Sequence, residues 1–293
     1  SWGIKTSDGK VFLVDNYAGT SIYTEYSYCG VCRVSGAKSI DWLRSCPVVV
    51  DPWEFKHLDA VFCSHHHQDH TDFYTIKATL NTTDCRYIAS KSAAAKLRNW
   101  EVPEDRLTEV VPGDSIKIGD TEIQVLLNYD SMAAATGAES PDHLQDIRNV
   151  AVSFLFKTDG GNILILADTL YNNGYAAFKK YNVDLLLTNM GYAPPGATDK
   201  MSPWDVFRVA QATGAKYVIP YHYDNWANSV EDPAELEHIV EKKRKEHRTD
   251  LKTLVLQPGA AIQFPRDKDM GRYTYPDYVE RYDADNSWEY GGK

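Results

Sequence analysis

A dense group of metal-binding side chain types occupies residues 64–70, Ser-His-His-His-Gln-Asp-His. His65 and His67 stand two positions apart where a predicted strand ends, so both imidazoles can point towards one centre. Asp69 and His70 then add a carboxylate and a third imidazole. Neutral imidazole combined with carboxylate favours zinc, manganese or iron over calcium. The segment therefore predicts a site for one or two divalent ions, with Mn²⁺ or Zn²⁺ as the expected metals.

Such a site needs further ligands from distant parts of the chain, and three polar residues follow predicted strands. Asp168 comes directly after the apolar run 162–167 and is the candidate for a carboxylate shared by two ions. His222 comes directly after the apolar run 216–221. Asp130 lies at the end of an earlier predicted strand. The alternative for each aspartate is a structural role at a turn.

The elements that must position these side chains are strands mixed with helices. Strands are predicted at 2–5, 11–15, 58–64, 86–89, 107–111, 115–118, 122–128, 149–157, 162–167, 183–188, 216–221, 254–256 and 262–264. Helices are predicted at 71–80, 92–99, 202–213 and 233–247. This order indicates an α/β protein with two sheets and helices outside them, formed by a single domain over 1–293. Residues 17–57 are predicted to be a long loop region and 266–293 a surface tail.

Composition narrows the choice of partners. The chain has 31 Lys and Arg against 41 Asp and Glu, which gives a formal net charge of -10. An acidic protein is a poor ligand for long nucleic acid, whose phosphates attract basic surfaces. A small phosphorylated substrate stays compatible, because it needs only a few local cations. No apolar run approaches the ~18 residues of a membrane-spanning helix, so no membrane partner is expected.

The cysteines and the first residue bear on the compartment. Five cysteines at irregular spacing do not form a disulfide framework, and the isolated Cys29 and Cys32 pair lacks the context of a redox or zinc motif. A reduced, cytoplasmic protein is therefore expected. The chain starts at Ser1 in a strand-like pattern, which predicts that its N-terminus is incomplete.

The ordered set of His-x-His-x-Asp-His, a strand-end Asp168 and a strand-end His222 resembles the ligand pattern of metallo-β-lactamase-fold hydrolases. Two other segments are more specific. Thr-Asp-Lys-Met at 198–201 and Ile-Pro-Tyr-His-Tyr-Asp-Asn-Trp at 219–226 resemble the UlaG family of L-ascorbate-6-phosphate lactonases. The likeness extends from about residue 51 onward.

The resemblance implies an αββα sandwich and a cytoplasmic, often manganese-dependent enzyme that opens the lactone of a phosphorylated ascorbate. It also makes a homo-oligomer plausible. Carried over by position, the implied metal ligands are His65, His67, Asp69, His70, Asp130, Asp168 and His222. In this hypothesis a metal-activated water attacks the carbonyl, and Asp69 or Asp168 orients that water and receives its proton.

Three positions depart from the family pattern, which has arginine, histidine and arginine where this chain has Ser131, Leu170 and Pro195. Those polar groups would suit a phosphate or an enolate oxygen, so the substrate is less well defined than the metal chemistry. The remaining candidates for substrate binding are Lys200, which is expected to meet a substrate phosphate, Asp199 and Tyr223.

Two other functions stay open from the sequence. A phosphodiesterase of the same fold, acting on a cyclic nucleotide or a short RNA, would use the same ligand set, because the activated water can also attack phosphorus. A non-catalytic, metal-binding regulatory protein is the second alternative. The complete ligand motif argues against it.

Overall fold

The computed structural model describes residues 1–19, 44–136, 145–192, 200–227 and 229–272. Within these ranges two sheets contain the strands β1 Trp2–Lys5, β2 Val11–Val14, β3 Ala60–Cys63, β4 Arg86–Ser90, β5 Leu107–Val110, β6 Ser115–Ile118, β7 Thr121–Leu127, β8 Val152–Thr158, β9 Gly161–Ile165, β10 Leu185–Asn189, β11 Tyr217–Tyr221 and β12 Lys252–Thr253. The α-helices are α1 Phe73–Thr82, α2 Lys91–Asn99, α3 Ser131–Thr136, α4 Ile147–Val150, α5 Pro203–Thr213 and α6 Pro233–Lys245.

The first sheet has the strand order β1-β2-β3-β4-β5 and the second the order β12-β11-β10-β9-β8-β7-β6. β1 and β2 form an antiparallel hairpin, and β2 to β5 run parallel. β6 to β9 form an antiparallel meander, and β9 to β12 run parallel. Parallel strands require long crossovers, and helices supply those from β3 to β5 and from β9 to β12.

Alternating side chains divide the core into three layers. In β2, Phe12 and Val14 face the second sheet, whereas Leu13 packs with the residues of α1 and α2. Between the sheets, the ring of Phe62 lies 5.1 Å from that of Phe154. A third cluster covers the outer face of the second sheet with residues of α5 and α6. The predicted sandwich of two sheets flanked by helices is therefore confirmed.

Three local predictions were wrong. Residues 149–151 were expected to begin a strand, but Asn149 and Val150 belong to α4 and β8 begins at Val152. The closing strand is Lys252–Thr253 rather than 254–256, and its pairing ends with the bond from Leu254 N to Val218 O, 2.9 Å long. Residues 262–264 form no strand in the described part of the chain; Ile262 and Phe264 instead pack their side chains against the core between the sheets. A 3₁₀ helix at Asn173–Tyr181, which the sequence did not predict, connects β9 to β10.

The sheets bring the carboxyl ends of five strands to one edge of the sandwich. β2 and β3 are parallel neighbours, and β7, β9 and β11 share one direction in the second sheet. In α/β folds ligands bind outside the carboxyl ends of the strands, where the loops converge. No described helix is both long enough and apolar enough to cross a membrane.

Candidate metal centre

The loops at this edge bring together all seven predicted metal ligands. The loop after β3 carries four of them, and the others follow β7, β9 and β11. All seven side chains are buried: His65, His67, Asp69, His70, Asp130, Asp168 and His222.

The ligand atoms form two groups whose members lie within 4.8 Å of one another, and Asp168 belongs to both. We call the first the histidine-pair half-site; it consists of His65, His67 and Asp168. We call the second the mixed half-site; it consists of Asp69, His70, Asp168 and His222. A carboxylate shared in this way suits a centre for one ion or for two adjacent ions.

In the histidine-pair half-site, His65 Nε2 lies 3.0 Å from His67 Nδ1. Asp130 Oδ2 lies 3.6 Å from His65 Nε2. The other oxygen of Asp130 accepts a hydrogen bond of 2.8 Å from Ala133 N and so caps α3. The cap fixes the carboxylate with one oxygen directed at the half-site.

In the mixed half-site, His222 Nε2 lies 3.0 Å from Asp69 Oδ2 and 3.5 Å from Asp168 Oδ1. His70 Nε2 lies 3.3 Å from Asp168 Oδ2. Two imidazoles and two carboxylates therefore converge on one small volume.

Asp15, at the end of β2, orients one histidine of each half-site. Its Oδ2 lies 2.9 Å from His70 Nδ1 and accepts a bond of 2.6 Å from Ser64 Oγ, which lies 2.9 Å from His65 Nδ1. A carboxylate only accepts, so His70 Nδ1 donates to Asp15 and Nε2 is the ring nitrogen that faces the centre. The hydroxyl of Ser64 donates its hydrogen to Asp15 and accepts a hydrogen bond from His65 Nδ1. The Nε2 of His65 therefore also faces the centre. Asp15 was not among the predicted site residues, although it ends a buried strand just as Asp168 does.

Thr136, on α3, orients the second histidine of the pair. His67 Nε2 lies 2.7 Å from Thr136 Oγ1, and that hydroxyl donates to Met132 O over 3.0 Å. The hydroxyl therefore accepts from His67 Nε2, which leaves Nδ1 to face the centre. Nothing in the sequence near Thr136 pointed to this role, because the pairing is between distant segments.

The loop after β11 holds Asp69 in place. Asp69 Oδ2 accepts hydrogen bonds from Trp226 Nε1 at 3.2 Å and from Asn225 Nδ2 at 3.4 Å. The Trp226 ring is buried and lies 5.3 Å from that of Tyr17. Arg44 donates to Tyr17 O over 3.0 Å. These contacts give the Asn-Trp pair after His222 a positioning role that its sequence alone did not reveal.

Three residues at the site have left-handed backbone conformations that are uncommon outside glycine. The φ angle is 48° at Asp15, 57° at Ala167 and 74° at His222. Such conformations persist where the surrounding structure determines them strongly, and they cluster at functional sites. Here they turn the chain sharply at the ends of β2, β9 and β11.

Burial and charge set the ionisation of the ligands. Burial holds the pKa of both His65 and His67 well below its usual range, so both stay neutral. Burial also lowers the pKa of His70, but the carboxylates of Asp168, Asp69 and Asp15 outweigh it and hold that pKa well above the usual range. The two half-sites therefore differ in proton affinity.

The residues present fit a divalent cation. Asp168 Oδ1 and His70 Nε2 are buried and make no hydrogen bond in the described part of the chain. The carboxylates of Asp15, Asp69, Asp130 and Asp168 are buried within the same cluster, where Lys200 brings one ammonium group. Buried charges need compensation, and the carboxylates carry more negative charge than one ammonium neutralises. Imidazole and carboxylate are also the ligands that zinc and manganese accept.

The predicted substrate-binding residues have different surroundings. Lys200 Nζ lies 2.5 Å from Asp168 Oδ2, inside the metal centre. The ring of Tyr223 packs in the core under α5 and α6, and its hydroxyl donates to Leu256 O over 2.9 Å. Its contact with substrate stays a prediction. Outside the described residues lie Asp199, Pro195, Cys29 and Cys32.

Comparison with known proteins agrees with this centre. The sequence profile described as "Beta-lactamase superfamily domain" matches residues 39–223. The probable L-ascorbate-6-phosphate lactonase UlaG of Escherichia coli (strain SMS-3-5 / SECEC) is 35% identical over 255 residues, which cover 83% of this chain and 71% of that protein. The protein of the same description from Salmonella gallinarum (strain 287/91 / NCTC 13346) gives the same values.

Solved structures with lower sequence identity share the fold. The isothiocyanate hydrolase from Delia radicum gut bacteria superposes with a TM-score of 0.66 at 17% identity, over 89% of this chain and 95% of that one. A possible metal-dependent hydrolase from Veillonella parvula DSM 2008 gives a TM-score of 0.62 at 15% identity, over 89% and 94%. The profile match and the relatives agree with the buried ligand set, which is typical of a metal-dependent hydrolase. The chain therefore belongs to the metallo-β-lactamase superfamily and, within it, to the family of the UlaG proteins.

Proposed function

We propose that this protein is a metal-dependent hydrolase that opens the lactone ring of a phosphorylated sugar lactone, with L-ascorbate 6-phosphate as the first candidate substrate. The main support is the buried cluster in which two groups of ligand atoms share Asp168. The relatives with a lactonase description supply the substrate class. Mn²⁺ and Zn²⁺ are the candidate ions.

A divalent ion held by this cluster would lower the pKa of a coordinated water to near neutral and polarise a carbonyl oxygen. The protein contributes the orientation of the reacting groups. Asp69, fixed by Trp226 and Asn225, would orient the attacking water. Asp168, at the junction of the half-sites, would share with Asp69 the acceptance of its proton.

In this proposal, Lys200 would lie at the reacting end of a bound substrate. Its ammonium lies 2.5 Å from Asp168 Oδ2, so a carbonyl or ring oxygen that approaches the centre also approaches this cation. Negative charge forms on the ring oxygen when the lactone opens, and a buried ammonium would stabilise it. We therefore assign Lys200 to the opening ester bond rather than to the phosphate. Asp199 and Tyr223 stay proposed substrate contacts.

The proposed setting is the cytoplasm, where a phosphorylated sugar acid would be available. Free thiols at Cys46, Cys63 and Cys85 fit a reducing compartment. A homo-oligomer is also proposed, on the likeness to the UlaG family alone.

The test is hydrolysis of L-ascorbate 6-phosphate by protein loaded with Mn²⁺ or Zn²⁺ and by protein treated with a chelator. We expect kcat/KM of at least about 10⁴ M⁻¹s⁻¹ with metal and loss of turnover without it. A chromogenic phosphodiester, bis-(p-nitrophenyl) phosphate, serves as the comparison substrate. Faster hydrolysis of the diester would replace the lactonase by a phosphodiesterase. Bound metal without turnover of either compound or of other phosphorylated lactones would favour a regulatory role.

A further inference from the structure

The mixed half-site already contains a cation of the protein itself. Lys200 Nζ lies 2.5 Å from Asp168 Oδ2 and 3.2 Å from His222 Nε2. These two residues are also members of the ligand group that could hold an ion there. The ammonium thus contacts the same atoms that an ion in the mixed half-site would use.

The position of this lysine is built into the fold. Its side chain is 2% exposed, and Met201 O, one residue further on, accepts a bond of 3.0 Å from Gly191 N. A Cβ atom at position 191 would lie 3.0 Å from Ser229 O, so glycine allows the close approach of this backbone segment beside Lys200. Ser202, two residues beyond Lys200, caps α5 through Asp205 N. The chain that directly follows Lys200 is therefore held in place by backbone and capping hydrogen bonds.

The histidine-pair half-site has different neighbours. The outer nitrogens of its imidazoles lie near hydroxyl groups, His65 Nδ1 at 2.9 Å from Ser64 Oγ and His67 Nε2 at 2.7 Å from Thr136 Oγ1. Both ligand nitrogens keep their lone pairs directed at the centre. An ion bound to the two imidazoles would leave the Lys200 ammonium in place on Oδ2 of the shared Asp168.

We propose that the Lys200 ammonium takes the place of a second ion, so that the centre holds one divalent ion, on His65, His67 and Asp168. Like charges in one small buried volume repel, so an ion in the mixed half-site would have to expel the ammonium. The inference rests on the proposed metal centre but not on the lactonase reaction. It assigns Lys200 two tasks, exclusion of a second ion and supply of positive charge beside the first.

The test counts Mn²⁺ ions by elemental analysis after equilibrium dialysis against excess Mn²⁺ and records the electron paramagnetic resonance spectrum of the bound metal. Wild-type protein should hold about one ion per chain, with the spectrum of an isolated Mn²⁺. Lys200→Met should hold about two, with the spectrum of an exchange-coupled pair. Lys200→Arg, which keeps the cation, should stay at about one ion, and so should Lys216→Met, which removes an exposed ammonium paired with Asp184.

Two ions in the wild-type protein would overturn the inference, and so would one ion in a folded Lys200→Met variant. Wild-type protein without any bound ion would overturn the proposed metal centre as well, which separates the two failures. Thermal unfolding shows whether each variant folds. Lys200→Gln, which keeps a polar end, replaces Lys200→Met if the latter precipitates, and the wild-type spectrum is decisive in either case.

Discussion

The two half-sites of the metal centre share Asp168 but differ in charge and in proton affinity. Burial keeps His65 and His67 neutral, and hydroxyl groups fix their tautomers. In the mixed half-site, carboxylates hold the pKa of His70 well above its usual range, and Lys200 adds a positive charge. Ligand-type residues alone therefore do not determine how many ions a centre binds. The surrounding charges decide which ligand group accepts one.

The largest effect should come from the residue that both half-sites share. Asp168→Ala removes a ligand from each group, and we expect kcat/KM for the lactone to fall by about 10³-fold or more. Metal content by elemental analysis should fall with it. Asp159→Ala, at an exposed turn after β8, is the matched control and should leave both quantities unchanged. Full activity in Asp168→Ala would remove this residue from the centre.

A smaller effect should follow when the hydrogen bonds behind the ligands are changed. Asp15→Asn weakens the orientation of His70 directly and of His65 through Ser64, so metal affinity should fall by about 10–100-fold. Ser64→Ala affects His65 alone and should cost less. Competition with a metal-binding dye measures both affinities. If Ser64→Ala weakens metal binding more than Asp15→Asn does, Asp15 does not orient both His65 and His70.

Trp226→Phe tests the support of Asp69 within the mixed half-site. The change removes the bond from Nε1 to Asp69 Oδ2 but keeps an aromatic ring beside Tyr17. We expect a cost of about 1 kcal/mol in the free energy of unfolding and a decrease of about tenfold in kcat. Metal content should not change, because the hydrogen bond that the change removes ends on Asp69, outside the histidine-pair half-site. Denaturant unfolding and steady-state kinetics give the two values, and loss of the metal ion would contradict this assignment.

The smallest expected effect concerns pH. An ordinary histidine, with a pKa near 6.5, takes up a proton as the pH falls through that value and then competes with metal. His65 and His67 have pKa values well below this, so neither needs to release a proton when an ion binds at pH 6. Metal affinity should therefore change less than about tenfold between pH 6.5 and 5.5. A steeper decrease, measured by calorimetry, would place the ion on histidines with ordinary pKa values.

The fold and the clustering of the candidate ligands could be predicted because their signals are local. Short apolar runs predicted β2 and β3, and ligand-type residues at strand ends predicted the positions of Asp168 and His222. A crowded segment such as 64–70 is recognisable without knowledge of its partners. The closing strand was placed too far along the chain, since a pairing of two residues has almost no pattern.

The residues that support the ligands could not be predicted, because their roles depend on contacts between distant segments. Asp15 is separated by 55 positions from His70, and Thr136 by 69 positions from His67. Lys200 was expected to meet a substrate phosphate, but the fold buries its ammonium beside Asp168. Burial of a loop lysine follows from packing around α5, which the local sequence does not encode.

The difference between the half-sites is tested most directly by the metal content of two matched variants, purified without chelator and dialysed with Mn²⁺. His67→Ala removes a ligand of the histidine-pair half-site, and His222→Ala removes one of the mixed half-site. We predict that His67→Ala loses its ion, whereas His222→Ala keeps about one ion per chain, as the wild-type protein does. Retention of the ion in His67→Ala with its loss from His222→Ala would contradict the assignment of the ion to the histidine pair.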